Sequence, residues 1–288
     1  MKIAAFTIVK NAIKYHYPIV ESIQSVLPLC DAFYVSVGDS DDDTWHLIKA
    51  INDPKIIMLP SVWDKTMTKN GEVLAFETNK VFQQIPQEYT WCIYIQADEL
   101  IHEKDFEKIC SAMQKYKDDT NIQGLLFSYH HFWGSYDYIT NTSGWYKNEI
   151  RIIKNNKNIF SYKDAQGFRI KPNEKIQVAH TRAYIYHYGW VRPPKQMQDK
   201  YKDIQQYWSN ENKFIADVEE YDYSGIDSLS PFKDTHPIWM KNLVEKQNWT
   251  FDFDTRKKKL KFKEHFKQFL FRLTGRHFFE YKNYKLIK

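Results

Sequence analysis

Cysteine is scarce in this chain: Cys30, Cys92 and Cys110 are its three, an odd number without metal-ligand spacing. That excludes a disulfide scaffold and a cysteine-built zinc centre, and predicts reduced thiols inside a cytosolic protein. Long hydrophobic runs are missing too. No stretch reaches the length of a membrane-spanning helix, and the apolar run at the N-terminus meets Lys10 and Asn11 too early for a secretory signal. No internal repeat and no low-complexity linker is found, which argues against two independent domains. Glycine is absent from Lys10-Asn11-Ala12-Ile13-Lys14, where a phosphate-cradling loop after a first strand would need it.

What is present is a chain of 288 residues, 27% charged and 43% hydrophobic, which suffices for a large packed core and excludes disorder. Aromatic residues reach 17%, with 20 Tyr and 9 Trp, more than a core alone usually needs and compatible with a cleft that stacks flat ligands or sugar rings. The net charge of +5 is unevenly spread. Residues 255–288 hold twelve Lys or Arg against Glu264 and Glu280, a net +10 that leaves −5 for residues 1–254. The basic character belongs to the tail, and the acidic body disfavours nucleic acid as a partner.

Hydrophobic periodicity predicts alternating strands and helices over the first 116 residues. Strands are expected at Lys2–Val9, Ala32–Val37, Lys55–Leu59 and Trp91–Ile95, and helices at Tyr15–Val26, Thr44–Ile51, Glu72–Phe82 and Lys104–Tyr116. This is the rhythm of a mostly parallel, doubly wound α/β sheet with helices on both faces. A β-rich second half follows, with strands expected at Gly124–Trp133, Trp145–Lys154 and Ile176–Tyr188, then helices after Pro193-Pro194 and after Pro237. We therefore expect one domain over 1–254 and a basic amphipathic tail over 255–288. In the tail, Phe262, Phe266, Phe269, Leu270 and Leu273 fall on one helical face with lysines around them, which fits either a helix packed on the body or one lying on an anionic membrane.

The run Trp91-Cys92-Ile93-Tyr94-Ile95-Gln96-Ala97-Asp98-Glu99 reads as a buried strand delivering carboxylates to a sheet edge. On a strand, Gln96 and Asp98 would share a face, and a carboxylate there suits Mg²⁺ or Mn²⁺ carrying a diphosphate. The second strand ends in Gly38-Asp39-Ser40-Asp41-Asp42-Asp43-Thr44, which fits an acid-capped helix start or, through Asp39, acceptance of hydrogen bonds from a base or ribose. At His187-Tyr188-Gly189-Trp190-Val191-Arg192-Pro193-Pro194-Lys195, a strand runs into a basic loop. Imidazole is a competent Mn²⁺ ligand, and Arg192 and Lys195 could neutralise phosphate oxygens, whereas His180 reads as structural. Aromatic rings beside acids at Phe132–Tyr138 and Trp145–Arg151 fit a sugar subsite. They offer Glu149 or Asp137 as a general base, with a Glu149–Arg151 ion pair as the structural alternative.

Taken in order, Phe6-Thr7-Ile8-Val9-Lys10-Asn11, the acidic loop from Asp39 to Thr44, Gly71 with Thr78-Asn79, Ala97-Asp98-Glu99 and His187-Tyr188-Gly189 resemble the family-two-like glycosyltransferases of the GT-A fold. The likeness is to bacterial members that elongate surface polysaccharides, and it runs from Ile3 to about Met240. The resemblance implies an inverting transfer from a nucleotide sugar, UDP-linked, to a saccharide or lipid-linked saccharide acceptor. It implies that Thr7 and Asp39 line the nucleoside pocket with Lys10 and Asn11, that Asp98 holds a divalent cation, Mn²⁺ or Mg²⁺, and that His187 is a further metal or phosphate ligand. Gln96 stands where the family's acidic motif usually begins with an acid, and a neutral amide is the poorer ligand for a hard cation. With the basic tail, the expectation is a cytoplasmic enzyme docked peripherally on the inner face of the plasma membrane. A sugar nucleotidyltransferase and a non-catalytic membrane-surface protein are the alternatives.

Overall fold

The computed structural model describes residues 1–256 and 282–287, except 143, 206 and 208–217. In chain order the elements begin β1 (Ile3–Val9), α1 (Ile19–Val26), β2 (Ala32–Val37), α2 (Thr44–Lys49), β3 (Ile56–Pro60), α3 (Glu72–Gln84) and β4 (Trp91–Tyr94). Next come β5 (Glu99–Ile101), α4 (Phe106–Lys115), β6 (Gly124–Trp133), β7 (Ser135–Thr140) and β8 (Asn148–Lys154). The remainder is β9 (Ile159–Tyr162), β10 (Gly167–Ile170), β11 (Glu174–Lys175), β12 (Gln177–Trp190), α5 (Pro194–Gln205), β13 (Leu229–Pro231), α6 (Lys241–Glu245) and β14 (Lys285–Leu286).

Strict alternation explains why β1, β2 and β4 are buried on both sides. Ile3, Ala5 and Val9 join Phe33, Val35, Trp91 and Ile93 in one apolar cluster, which α1, α2 and α4 cover through Ile19, Ile23, Ile48, Ile109 and Met113. The alternate residues Ala4, Phe6, Ile8, Tyr34, Cys92 and Tyr94 join a second cluster, which α3 covers through Val73, Val81 and Phe82. Helices therefore flank both faces of a curved, largely parallel sheet, a mixed α/β architecture.

The parallel part runs in the order β3-β2-β1-β4, and β8 then joins β4 antiparallel. β6 pairs antiparallel with β8 and with β7, and parallel with the long β12. A small separate sheet, β9-β10-β11, carries the turn at residues 163–166. Because β1, β2, β3, β4, β6 and β12 share a direction, their carboxyl ends open on the same side, where ligands of α/β sheets bind.

Several expected boundaries shift for local reasons. The first helix starts at Ile19, not Tyr15, because Asn11 (φ 56) and His16 (φ 49) turn the backbone before Pro18. The strand expected over Trp145–Lys154 starts at Asn148. Strand β4 stops at Tyr94, and residues 95–98 form a turn closed by the Glu99 N–H donating to the Gln96 carbonyl at 3.1 Å. Residues 282–287 of the basic tail return to the body: β14 pairs parallel with β12, and Asn283 and Tyr284 are buried. The amphipathic stretch from Phe262 to Leu273 lies outside the described residues.

Candidate active site

A cavity of about 370 Å³ opens at those carboxyl ends. Val9 and Lys10 come from the end of β1, Gln96, Ala97 and Asp98 from the turn after β4, and Trp63 from the loop after β3. β12 contributes His187 and Trp190, α5 contributes Lys200 and Ile204, and the turn between β9 and β10 contributes Asp164, Ala165 and Gln166. Tyr15, Tyr17, Trp145, Tyr146 and Tyr207 complete a strongly aromatic wall.

The acidic turn is clamped from behind. Glu99, read from the sequence as a second cleft carboxylate, is fully buried and accepts two bonds from Arg151, Nε at 2.7 Å and Nη2 at 2.8 Å. It also accepts from the Tyr129 hydroxyl at 2.9 Å and the Gln96 N–H at 3.2 Å. A forked guanidinium–carboxylate pair with its remaining lone pairs satisfied holds one geometry, and removing either partner alone costs about 3–5 kcal/mol. The turn that presents Asp98 is thereby fixed to β8. Arg151 thus pairs with Glu99 and not with Glu149.

Asp98 is the centre of the site. His187 Nε2 lies 3.7 Å from its Oδ1 and Lys200 Nζ lies 3.5 Å from its Oδ2. Burial alone would raise the Asp98 carboxyl, but the Lys200 ammonium, with Arg192, holds it below its ordinary value. Burial, then the nearby Arg192, brings the Lys200 ammonium down to about 7 against the pull of Asp98. Gly189 makes this crowding feasible: a Cβ there would fall 2.5 Å from His187 Nε2 and 3.0 Å from Asp98 Oδ2. Behind His187, its Nδ1 lies 2.9 Å from Nδ1 of His131.

At the other end of the cavity, Lys10 Nζ and the Trp63 N–H both donate to Asp39 Oδ1, at 2.8 and 3.1 Å. Asp39 therefore positions two groups of the wall from its rim. The Trp63 indole N–H is buried without a partner. Gly38 gives it room, since a Cβ there would lie 2.6 Å from Trp63 Nε1.

Of the residues expected from sequence, Lys10, Gln96, Asp98 and His187 line the cavity, with Asp39 at its rim. The others lie elsewhere. Thr7 is fully buried, in the same alternation as Ile3, Ala5 and Val9 on the face covered by α1. Asn11 exchanges bonds with Asp41, accepting from its N–H at 2.7 Å, and so braces the acidic loop. Arg192 is buried beneath the site, donating to the carbonyls of Tyr15 and Gly189 at 2.6 and 3.0 Å. Lys195 is exposed on the outer side of α5. Asp137 is exposed on β7 and bonded to Ser135, while Glu149 is buried on β8 and accepts from Gln166 Nε2 at 2.9 Å.

Sequence reasoning missed Lys200, Asp164 and His131. Helical spacing of Met197, Lys200 and Ile204 after Pro194 puts them on one turn-to-turn face and could have found Lys200. Asp164 lies in a hairpin turn that carried no chemical pattern, and His131 was hidden in an apolar strand.

No family model matches the chain, and no curated protein matches it. Among solved structures, TarS of S. aureus is 13% identical with a TM-score of 0.38, the match covering 69% of this chain and 38% of that one. Glucosyl-3-phosphoglycerate synthase from Mycobacterium tuberculosis in complex with Mn²⁺, UDP and phosphoglyceric acid is 15% identical with a TM-score of 0.31, covering 44% of this chain and 43% of that one. The 4-diphosphocytidyl-2C-methyl-D-erythritolsynthase from Anaerococcus prevotii is 10% identical with a TM-score of 0.34, covering 54% and 70% respectively. This chain spans well under half the length of the TarS chain it matches.

Proposed function

We propose that the chain is a glycosyltransferase that moves a sugar from a nucleotide sugar, UDP-linked, to a hydroxyl of a saccharide acceptor with inversion. The observation that carries this reading is the meeting of Asp98, His187 and Lys200 at the carboxyl ends of parallel strands, inside an aromatic-walled cavity. An inverting outcome follows from the sequence resemblance alone.

The donor set fits a divalent cation: a carboxylate oxygen and an imidazole nitrogen suit Mn²⁺, and Gly189 leaves their approach unobstructed. Among the described residues no group of three or more His, Cys, Asp or Glu could hold a metal. Two protein ligands are the ordinary number where substrate phosphates and water complete the shell. Asp98 and His187 would hold the ion, which when bound would offset the charge gathering on the departing diphosphate.

The residues of the chain itself supply the rest. Trp63 and Tyr207, 6.1 Å apart between ring centroids, would frame the nucleoside, with the unpartnered indole N–H of Trp63 available to an acceptor atom on it. Trp145, Tyr146 and Trp190 would offer faces to sugar C–H groups. Asp164, the other carboxylate lining the cavity among the described residues, would take the proton of the acceptor hydroxyl as its oxygen bonds to the anomeric carbon. The bond from that carbon to the diphosphate breaks, the diphosphate leaves with the electron pair, and Lys200 stands beside it. Burial raises the Asp164 carboxyl above its ordinary value, which strengthens it as a base. Glu149 and Asp137, expected from sequence for this task, lie outside the cavity wall.

A lipid-linked saccharide acceptor of surface polysaccharide synthesis, met at an anionic membrane, is the finer proposal, supported by the resemblance and the cationic segment after Thr255. Incubation with UDP- and GDP-sugars, reading free nucleoside diphosphate, tests the activity. Asp98→Ala should lower the rate at least roughly a hundredfold while melting like the parent, because a preorganised charged group at the leaving group is worth about 3 kcal/mol. Asp164→Asn should slow transfer without weakening UDP binding. An Asp98→Ala protein that folds and transfers at the parent rate would reject the assignment.

A further inference from the structure

His131 lies in none of the motifs that carry the resemblance. It sits on β6 directly beside His187 on β12, and it is 3% exposed. Its Nε2 lies 2.8 Å from the Tyr146 carbonyl oxygen and its Nδ1 lies 2.9 Å from His187 Nδ1. Its ring stacks on Tyr129 at 5.0 Å and meets Tyr146 edge-on at 4.6 Å.

The hydrogens of this chain follow from its acceptors. A carbonyl oxygen only accepts, so His131 Nε2 carries a hydrogen. A second one on Nδ1 would make His131 a cation sealed among aromatic rings, which burial opposes. His131 Nδ1 is therefore a lone pair, and the 2.9 Å contact requires His187 Nδ1 to donate into it. In neutral His187 the remaining nitrogen, Nε2, is then bare, and it is Nε2 that lies 3.7 Å from Asp98 Oδ1. Two acceptors face each other there with no hydrogen between them, an arrangement that a cation completes.

We propose that His131 is a positioning residue that holds His187 in its Nδ1–H tautomer, so that the Nε2 lone pair is already turned toward Asp98 to receive a divalent cation. The cation half of this inference rests on the reading of the cleft given above; the tautomer half does not. Partners of this kind fix the ring of a ligating histidine and raise its basicity, and their loss typically weakens metal binding roughly 10- to 100-fold.

The test is nitrogen-15 NMR of the histidine rings in the metal-free protein, joined to Mn²⁺ titrations followed by electron paramagnetic resonance. The parent should show His187 protonated at Nδ1 and bare at Nε2. His131→Phe, which keeps an aromatic ring and removes the acceptor, should lose that tautomer and bind Mn²⁺ roughly 10- to 100-fold more weakly. His131→Asn, which can return an acceptor oxygen near the same point, should recover most of the affinity. A parent protein with His187 protonated at Nε2 overturns the proposal whether or not His131→Phe folds, and so does a folded His131→Phe with parent Mn²⁺ affinity. A parent with the expected tautomer and no Mn²⁺ binding overturns the cation half and the reading beneath it, and leaves the control of the tautomer standing.

Discussion

At the scale of single residues, polar groups near the cavity divide into those that face it and those that hold the former in place. Glu149 belongs to neither class cleanly. Burial pushes its carboxyl up to about 7, one oxygen has no partner, and the backbone of Gly167 packs against it. A folded-state value above the unfolded one means that the native protein holds an extra proton between the two. Stability from this group is then greatest below pH ~4.5, falls as pH rises to about 7, and stays lowered above that, by on the order of 3 kcal/mol. Glu149→Gln should therefore raise the melting temperature at pH 8 and leave it nearly unchanged at pH 4.5, read by thermal denaturation across that range. Equal effects at both pH values would show that folding does not raise the Glu149 carboxyl.

At the scale of elements, the first half of the fold was legible because alternation and breaker residues speak locally. Ala32–Val37 and Gly124–Trp133 occur with the bounds read from sequence, and β1, β3, β4, α2, α3 and α4 lie within two residues of theirs. Short strands were not legible. β5, β7 and β9 to β11 are held by partners far away in sequence or by tight turns, and two to six residues carry too little pattern to announce that. The candidate site was legible where an apolar strand leads directly to it, as at Asp98 in the turn after β4 and His187 near the end of β12. It was not where side-chain direction decides, as at Thr7, Arg192 and Glu149. Gly189, next to last in β12, offers a direct check. Gly189→Ala would drive a methyl group into His187 Nε2, whose ring cannot retreat because His131 lies behind it. The expected outcome is a protein that folds but binds Mn²⁺ at least roughly tenfold more weakly, given the sensitivity of such sites to their supporting groups. Parent affinity in a folded Gly189→Ala protein would mean that the ion sits elsewhere.

At the scale of the whole molecule, charge and topology point to different ends of the chain. Among the described residues no helix is long and apolar enough to cross a membrane, while the last 34 residues carry a net +10. Each basic residue near an anionic leaflet contributes ~1 kcal/mol, so a cluster of this size would hold the protein to such a surface at low salt. Truncating the tail is the wrong way to ask. Asn283 accepts from Arg169 at 2.6 Å and β14 lies on β12, so deletion would also damage the body. Replacing Lys257, Lys258, Lys259, Lys261 and Lys263 by Gln removes five charges and keeps residues 282–287. The parent should co-sediment with anionic vesicles at low salt and be released by high salt, and the five-fold variant should sediment far less while still turning over soluble donor. Equal sedimentation of the two would leave the packed-helix alternative in place.

On the proposed function, the cavity at the carboxyl ends of the parallel strands binds a nucleoside diphosphate through a cation held by Asp98 and His187. Calorimetric titration of UDP with and without Mn²⁺, on the parent and on Asp98→Ala, addresses it most directly. The parent should bind UDP more tightly with Mn²⁺ than without it, and Asp98→Ala should lose that gain. No heat from the parent with UDP, GDP or their sugars, or an identical Mn²⁺ effect in both proteins, would contradict it.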